Sequence, residues 1–351
     1  MFDLTQPPAS DPSVILRYRD RQYAADLIAA AILEFDLFTW IDQHSGVTLA
    51  NLCEHFGWQS RPADVLMTLC RASGFVRTDP SGHCELTEVG REYLVADSPW
   101  FLGPYYQPIA DSPKLHDYVQ ILKTGKPANW QAKADGADWH ESMKDPAFAK
   151  SFTELMNCRG IAFGQKLAES LAAEMHDRKH LLDVGGGSGI YSATMVSRYP
   201  QLRATVLEQP PVDVITRSEV ERWGLSDRIA IHSADMFTDP WSSDTQHTGI
   251  DTILLSNVLH DWDWSEANEI IRRTAETLPS GGLLIIHDAI INADKTGPLP
   301  VAEYSSLLMN ITQGKCYSVT EYAEMVAMYG LEVTRNADTT GDRGFVIAVK
   351  S

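Results

Sequence analysis

The sequence of 351 residues is poor in positive charge: 29 lysine and arginine residues stand against 47 aspartate and glutamate residues, and the formal net charge is -18. A surface with this excess of negative charge repels phosphate backbones and acidic lipid headgroups. We therefore expect neither nucleic acid nor a membrane as a partner of this protein.

Paired cysteines and long apolar runs are also missing. The five cysteines are odd in number and contain no CxxC pair, which argues against a disulfide framework or a metal cluster and favours a reducing cytoplasm. The apolar runs LIAAAIL and LLII are too short to span a bilayer. The N-terminus MFDLTQPPASDP has no basic segment before an apolar run, so we expect no secretory signal. With 44% hydrophobic residues, the chain is long enough for a large core and two domains.

The first hundred residues predict a mostly α-helical domain with the element order of a winged helix. The segment AADLIAAAILEFDLF is apolar around much of its circumference, which is typical of a helix buried in a domain or against another subunit. A helix from about Thr48, a turn near Gly57, a helix over Pro62–Ser73 and two short strands around the turn DPSG follow. Such a module binds DNA or serves in dimerisation. Because its second helix is mostly apolar and the chain is acidic, we favour dimerisation.

Proline and aromatic residues are frequent over residues 99–146. Two roles are open for this stretch: it roofs a pocket for a flat ligand, or its aromatic side chains pack a helical connector. We place the N-terminal winged-helix-like domain at residues 1–100, the connector at 101–150 and the remaining domain at 151–351.

From about Ser151 a long helix leads into apolar strands that alternate with helices. The predicted strands are HLLDVG, ATVLEQ, IAIHSAD, DTILLSNVLH and GGLLIIHDAI, and LEVTRNAD and GFVIAVK close the chain as a hairpin. This pattern predicts an α/β domain, with a Rossmann-like, doubly wound, mainly parallel sheet and a terminal antiparallel hairpin. Ligands of such sheets bind at the carboxyl ends of the strands.

The glycine-rich loop after the first strand excludes two common phosphate-binding patterns. The fingerprint GxGxxG fails in both reading frames, and no Gly-Lys-Ser/Thr follows. What remains is an acid followed by GxGxG: Asp183, Gly185, Gly187 and Gly189. Glycines let the backbone approach a ligand closely, and Asp183 is placed to hold a cation directly or through water. The pattern therefore favours a zwitterionic amino-acid moiety over a pyrophosphate.

Acids also close the next two predicted strands. Glu208 is suited to accept hydrogen bonds from both ribose hydroxyls. Asp235 is suited to an adenine amino group, with the apolar Met236 and Phe237 beside it. Each of these acids alone is as consistent with a helix N-cap or a solvated loop. Three acids at successive strand ends, together with the glycine loop, favour a nucleoside ligand.

These features, with the segments SNVLHDWDWSEA and GGLLIIHDAI, resemble the class I S-adenosylmethionine-dependent methyltransferases. The closer resemblance is to the small-molecule O-methyltransferase family that includes plant caffeate and hydroxyindole O-methyltransferases and bacterial antibiotic-tailoring enzymes. It covers about residues 14–350, and DVGGGSG and LHDW are its most specific parts. It implies S-adenosylmethionine as cofactor, S-adenosylhomocysteine as product, an aromatic small-molecule acceptor and a homodimer with interleaved N-terminal domains.

The resemblance also implies catalytic roles. His260, at the end of the fourth strand, matches the general base, and a core histidine bonded to backbone is the alternative. Asp288 matches the acid that orients this base, where plant members carry glutamate. Such an acid raises the basicity of an imidazole and fixes its tautomer. The position of a second orienting acid holds Cys316, so that carboxylate is missing unless Glu303 or Glu321 replaces it.

Further assignments follow from position. We expect Ser256 and Asn257 to offer backbone groups to the cofactor, Trp262 to line its pocket, and Asp261 to be structural. No metal site is expected. The candidate residues of the substrate pocket are Met156, Phe163, Met309, Asn310 and Cys316.

Three other functions stay open. One is methyl transfer to carbon or nitrogen, and another is a drifted, non-methylating reaction such as decarboxylation or hydroxylation on the same scaffold. The third is a winged-helix regulator that only senses S-adenosylmethionine. The sequence does not identify the acceptor.

Overall fold

The computed structural model describes residues 2–127, 143–241 and 249–351. The chain divides into two compact units, each built from separate stretches of sequence. The sheet unit comprises residues 1–13, 140–290 and 319–351, and the helical unit comprises residues 14–139 and 291–318.

The secondary structure of the described residues alternates helices and strands in the C-terminal part, as predicted. The α-helices are α1 Ser13–Asp20, α2 Ala24–Leu33, α3 Leu37–Gln43, α4 Leu49–Phe56, α5 Ser60–Ala72, α6 Glu88–Leu94, α7 Gly103–Tyr106, α8 Pro113–Thr124, α9 Pro146–Ser170, α10 Ala172–Met175, α11 Ile190–Arg198, α12 Val212–Arg222, α13 Trp264–Thr277, α14 Leu299–Ile311 and α15 Val319–Ala327. The strands are β1 Val76–Thr78, β2 Cys84–Leu86, β3 His180–Val184, β4 Arg203–Glu208, β5 Ile229–Ser233, β6 Thr252–Ser256, β7 Leu283–Asp288, β8 Leu331–Asp338 and β9 Gly344–Lys350.

The sheet unit is built on seven strands in the order β5-β4-β3-β6-β7-β9-β8. The first five in this order run parallel, and β9 is antiparallel to both β7 and β8. Strands β6 and β7 are buried along their whole length. This confirms the predicted α/β class with a doubly wound sheet and a terminal hairpin. The order reverses between β3 and β6, where such sheets bind their ligands.

All five parallel strands end earlier than predicted, and in β5 and β6 this moves a candidate site residue out of the strand. Strand β6 ends at Ser256, so His260 does not close it but lies in a 3-10 turn over Leu259–Asp261. The physical reason is Asn257, whose φ of 54° is left-handed and takes the chain out of the sheet. Strand β5 ends at Ser233, which places Asp235 in the following turn.

Helix α9 packs closely on α11 because two glycines face the contact. A Cβ at Gly160 would lie 2.7 Å from Cγ2 of Ile190, and a Cβ at Gly164 would lie 2.6 Å from Oγ1 of Thr194. The carboxylate of Asp145 caps the start of α9 by accepting a hydrogen bond from the N–H of Phe148. The close packing fixes α9 over the helix that follows the glycine loop.

The N-terminal leader belongs to the sheet unit. Gln165 of α9 donates to the carbonyl of Asp3 at 2.8 Å, and Arg198 of α11 donates to the carbonyl of Thr5 at 3.3 Å. The N–H of Gly341, in the turn between β8 and β9, donates to Asp11 at 3.2 Å. The leader is thus held by side chains and backbone from three places in the unit.

The helical unit contains the predicted helix-turn-helix and wing. Thr48 and Asn51 form a capping box at the start of α4, and Gly57 ends it with a left-handed φ of 67°. Strands β1 and β2 pair in antiparallel fashion after α5. No helix of the described residues has the length and apolar character that crossing a membrane requires.

The two units follow other boundaries than those we placed at residues 100 and 150. The segment 291–318, which the sequence assigned to the C-terminal domain, belongs to the helical unit. Its helix α14 packs on α5, the hydroxyl of Tyr118 donates to the carbonyl of Ser306 at 2.8 Å, and Asp64 pairs with Lys315 at 2.5 Å.

Candidate active site

The glycine loop after β3 presents bare backbone. Gly185, Gly187 and Gly189 all have left-handed φ angles, of 65°, 58° and 77°, a conformation that disfavours any other residue. A Cβ at Gly187 would meet nothing within 4 Å. A Cβ at Gly186 would come within 2.7 Å of the carboxyl carbon of Asp183. The loop is therefore tight on its inner side and open at Gly187.

Asp183 lies beneath this loop and is fully buried. Its Oδ2 accepts a hydrogen bond from the hydroxyl of Ser192 at 2.8 Å, and its Oδ1 has no hydrogen-bond partner in the described part of the chain. Burial raises the pKa of Asp183 to about 6, against the opposing effect of Ser192. A buried carboxyl oxygen without a partner fits a cationic ligand.

Glu208 ties the glycine loop to the end of β4. Its Oε1 accepts from the N–H of Gly187 at 2.8 Å and its Oε2 from the N–H of Gln209 at 3.0 Å. Burial raises its pKa to about 7, while the two backbone donors oppose that rise. Since each carboxylate oxygen has two lone pairs, capacity remains for ligand hydroxyls.

The residues after β5 form an aromatic wall with Trp262. The ring of Phe237 lies edge-on to Trp262 at 4.7 Å between centroids, and the carbonyl of Met236 accepts from Trp241 at 2.8 Å. Oδ1 of Asp235 caps the turn by accepting from the N–H of Phe237 at 2.8 Å. The local capping role that the sequence left open for Asp235 is therefore present.

His260 and Asp288 form a buried pair. Nδ1 of His260 bonds to Oδ1 of Asp288, which also accepts from the N–H of Ala289 at 2.7 Å. The hydroxyl of Tyr322 donates to Oδ2 at 3.2 Å. Burial acts to raise the pKa of Asp288, but His260 and further donors hold it below its ordinary value. An ionised Asp288 fixes the His260 proton on Nδ1 and leaves the lone pair on Nε2.

A second carboxylate faces the other ring nitrogen. Oδ1 of Asp261 lies 3.6 Å from Nε2 of His260. Burial raises the pKa of Asp261 to about 6, and the charge of His260 opposes this. The sequence assigned Asp261 a structural role, because the segment LHDW does not show in which direction the Asp261 side chain points.

Asn257 joins β6 to the glycine-loop helix and to the terminal hairpin. Its Nδ2 donates to the hydroxyl of Tyr191 at 3.1 Å, and its Oδ1 accepts from Nε of Arg343 at 3.3 Å. The hydroxyl of Ser256 contacts Nδ1 of His287 at 2.9 Å. Burial, more than the nearby charges, lowers the pKa of His287 to about 3, so it is neutral. Tyr191, His287 and Arg343 were missed, because no motif marks them.

The predicted substrate residues fall in both units. Met156 and Phe163 lie on α9 of the sheet unit, where the ring of Phe163 is flanked by Arg159 at 5.9 Å and Arg343 at 5.6 Å. Met309, Asn310 and Cys316 are buried residues of the helical unit.

Of these three buried residues, Asn310 is the one whose side-chain amide is only partly hydrogen-bonded among the described residues. Its Oδ1 accepts from Lys114 at 3.2 Å, and its Nδ2 has no hydrogen-bond partner among the described residues. Cys316 donates its N–H to Ser305. Of the predicted connector, residues 128–142 lie outside the described residues.

The arrangement in the sheet unit suits a ligand with three parts. An open backbone cradle and the partnerless oxygen of Asp183 fit a cationic amino-acid part. Glu208 fits a ribose, and Phe237 with Trp262 fits a flat base. In the described ranges, no group of three or more His, Cys, Asp or Glu side chains is placed to hold a metal ion.

Residues 114–332 match the O-methyltransferase domain family. The chain is 29% identical over 304 residues to the 3-hydroxy-5-methyl-1-naphthoate 3-O-methyltransferase of Streptomyces sahachiroi, covering 85% of this chain and 84% of that protein. It is 26% identical to the L-tyrosine C(3)-methyltransferase of Streptomyces lavendulae, covering 91% and 88%. Among solved structures, the O-methyltransferase family 2 protein from Planctomyces limnophilus in complex with apigenin matches with a TM-score of 0.87 and 28% identity, over 100% of this chain and 99% of that one.

Proposed function

The chain belongs to the O-methyltransferase domain family and is an S-adenosylmethionine-dependent methyltransferase, and we propose that it methylates a hydroxyl group of an aromatic small molecule with His260 as general base. The observation that carries this proposal is the buried His260–Asp288 pair at the same sheet edge as the glycine loop. The naphthoate named for one relative and the apigenin bound to one structural neighbour support a flat, hydroxylated acceptor.

The cofactor-binding residues keep their predicted roles within this proposal. S-adenosylmethionine supplies, when bound, a methyl group activated on a sulfonium, and it leaves as S-adenosylhomocysteine. Asp183 and the backbone at Gly185, Gly187 and Gly189 would receive the amino-acid part, and Glu208 the ribose. The adenine and the remaining parts of the cofactor would be contacted by Asp235, Met236, Phe237, Trp262 and the backbone of Ser256 and Asn257.

Arg159 is an addition that the sequence did not suggest. It follows Asn157 on α9 by two residues, and Oδ1 of Asn157 accepts a hydrogen bond from Ser188 of the glycine loop at 3.0 Å. Its charge acts on Tyr191 and Asp261 in the same site. We assign Arg159 to the carboxylate of the cofactor's amino-acid part, since a guanidinium matches that group.

Removal of the acceptor proton is the work of His260. A phenol has an ordinary pKa of about 10 and needs a base at neutral pH. Nε2 of His260 takes the hydroxyl proton, because Nδ1 is held by Asp288. The resulting imidazolium lies between Asp288 and Asp261, which both stabilise its charge. A base of this kind accelerates a reaction by about 10² to 10⁴.

Asp261 takes the place of the second orienting carboxylate in this proposal. The position expected for that acid holds Cys316, and the two substitutes considered from the sequence are Glu303, in the helical unit, and Glu321, on α15 of the sheet unit. Asp261 is supported by its distance of 3.6 Å from Nε2.

Methyl transfer to carbon is the second candidate function, because one relative is named as a tyrosine C-methyltransferase. A DNA-binding regulator is disfavoured. The helix α5 would be its recognition helix, and Pro62, Leu66 and Leu69 on it are buried. A recognition helix presents its side chains to the major groove.

We also propose a homodimer. The helical unit exposes large apolar side chains, including Ile15 at 74%, Tyr18 at 73% and Tyr105 at 82%, and a second copy of the chain is the partner that would cover them. A cytoplasmic location stays a prediction. None of the five cysteines, which all lie in the described ranges, forms a disulfide, and this fits a reducing compartment.

The test is a methyl-transfer assay with isotopically labelled S-adenosylmethionine and hydroxylated naphthoates, flavones and a cell extract as acceptors. We expect labelled product from the wild type and its loss in His260→Ala, with binding of S-adenosylhomocysteine retained. The matched control is His176→Ala, an exposed histidine of the same unit. Full turnover in His260→Ala would refute the assignment of the base, and fragmentation of the product by mass spectrometry separates oxygen from carbon as the methylated atom.

A further inference from the structure

Arg343 lies in the turn between β8 and β9 and is only 3% exposed. The neighbouring Gly344 pairs with Asp288 across the sheet, which places this turn at the carboxyl end of β7. Nη1 of Arg343 donates to the carbonyl of Gly341 at 3.1 Å, and its guanidinium stacks at 5.6 Å over the ring of Phe163. Burying the charge of the Arg343 guanidinium costs desolvation free energy. We therefore expect a role of Arg343 at the edge of the site.

The side chain of Asn257 links Arg343 to the turn that carries His260. Because Oδ1 of Asn257 accepts from Arg343 at 3.3 Å, its Nδ2 is directed to Tyr191 and Ser256 at 3.1 and 3.2 Å. Asn257 is left-handed, a strained conformation for a residue with a side chain, and such conformations persist when neighbours hold them. His260 follows three residues later, so the direction in which the chain leaves β6 sets the position of the imidazole.

The charge of Arg343 also acts on the groups around His260. Burial acts to raise the pKa of Asp288, and Arg343 is one of the groups that oppose this, after His260. Burial lowers the pKa of His287, and Arg343 adds to that effect. Asp261 and Tyr322 also face the pair, and the charge of Arg159 acts on Asp261 and His287. Since an arginine does not lose its proton in proteins, it supplies a constant positive charge to this cluster.

We propose that Arg343 is a positioning residue for methyl transfer, which holds the Asn257 turn and thereby keeps His260 and Asp288 in the arrangement that removes the acceptor proton. This role rests on the proposed function of His260. In this proposal Arg343 touches neither cofactor nor acceptor, and it acts through its hydrogen bond to Asn257 and through its positive charge.

The test compares Arg343→Gln, which removes the charge, and Arg343→Lys, which keeps it. The matched control is Arg335→Gln, an arginine of the same hairpin that also lies over a phenylalanine ring, at 5.1 Å from Phe345. We expect Arg343→Gln to lower kcat by about tenfold to a hundredfold, as a small misplacement of a catalytic group does. We expect its affinity for S-adenosylhomocysteine to fall far less than kcat, by at most about threefold, because the glycine loop and Glu208 are untouched and Asn257 offers the cofactor only its backbone.

The pH profile distinguishes the two effects of Arg343. Without a nearby positive charge the imidazole binds its proton more readily, so the acid limb of kcat moves upward by about half a unit to one unit in Arg343→Gln. Arg343→Lys retains the charge and leaves that limb in place, while its kcat still falls because lysine lacks the planar fork. Arg335→Gln changes neither quantity.

Nitrogen-15 NMR of histidine-labelled protein separates failure of this role from failure of the proposed base. The His260 signals are identified by their loss in His260→Ala. We expect Arg343→Gln, and not Arg335→Gln, to shift these signals and to raise their titration midpoint, whether or not His260 proves to be the base. Unchanged His260 signals, or a loss of cofactor affinity and thermal stability that accounts for the whole loss of turnover, would overturn the positioning role.

Discussion

Replacing Asp288 with asparagine removes one negative charge from beneath His260 and keeps the shape of the side chain. Oδ1 of Asp288 accepts from both His260 and the N–H of Ala289, and Oδ2 accepts from Tyr322. An amide oxygen placed at Oδ1 satisfies both of the first two donors, and the amide nitrogen then donates to the Tyr322 oxygen. The structure therefore predicts that the variant retains the productive tautomer of His260, with its proton on Nδ1.

What the variant loses is the stabilisation of the imidazolium that forms as the acceptor loses its proton. Two unit charges about 4 Å apart interact by about 4 kcal/mol at an effective dielectric constant of about 20. The amide dipole recovers part of this, which leaves a loss of about 3 kcal/mol, or roughly a hundredfold in kcat. A loss of negative charge also makes the imidazole less basic, so the acid limb of the pH profile moves to lower pH.

Steady-state turnover and binding of S-adenosylhomocysteine by calorimetry check this prediction. The control is Tyr322→Phe, which removes the hydrogen bond at Oδ2 but keeps the charge, and we expect it to cost less than about tenfold. If Asp288→Asn lowered kcat by less than about threefold, the pairing with Asp288 would be refuted as the source of the basicity of His260. A loss of about 10⁴, as when a histidine is trapped in the wrong tautomer, would refute the placement of the amide.

Two further predictions concern the cofactor site and the assembly. Burial raises the pKa of Glu208 to about 7, and a protonated carboxyl accepts poorly from ribose hydroxyls, so we expect calorimetry to show tighter S-adenosylhomocysteine binding as the pH rises from 6 to 8. Glu208→Gln should bind S-adenosylhomocysteine more weakly and with little dependence on pH. Equal pH dependence of binding in the wild type and the variant would contradict this prediction. In light scattering, the wild type should have the mass of a dimer, and Ile15→Asp and Tyr105→Asp that of a monomer, whereas Val214→Asp, at an exposed valine of the sheet unit, should remain dimeric; a monomeric wild type at micromolar concentration would contradict the dimer.

The strands were the part of the fold that the sequence predicted best. The segments LEVTRNAD and GFVIAVK coincide with β8 and β9, because turn residues bound both segments and β-branched residues recur within them. The segment DTILLSNVLH was less informative. It is apolar almost throughout, and its pattern does not reveal that Asn257 turns left-handed and ends the strand at Ser256.

The division into units was beyond the sequence for a different reason. Apolar periodicity shows that a helix such as Leu299–Ile311 has a buried face, but it does not show which part of the chain covers that face. The same limit applies to Asp261 and Arg343. Their contacts with His260 and Asn257 join residues whose directions are set by a 3-10 turn and a hairpin turn, and no motif records either direction.

The split composition of the helical unit has a consequence for synthesis on the ribosome. Arg61 donates to the carbonyl of Gly314 and Asp64 pairs with Lys315, yet these partners are added long after residue 139. At about 5 to 20 residues per second, residue 318 follows residue 139 by roughly ten to forty seconds. During that interval the early part of the unit waits with its contact surface for α14 uncovered. Both units are therefore completed late in synthesis and nearly together. Because each is built from separate stretches of the chain, neither could be transferred to another protein as one continuous gene segment.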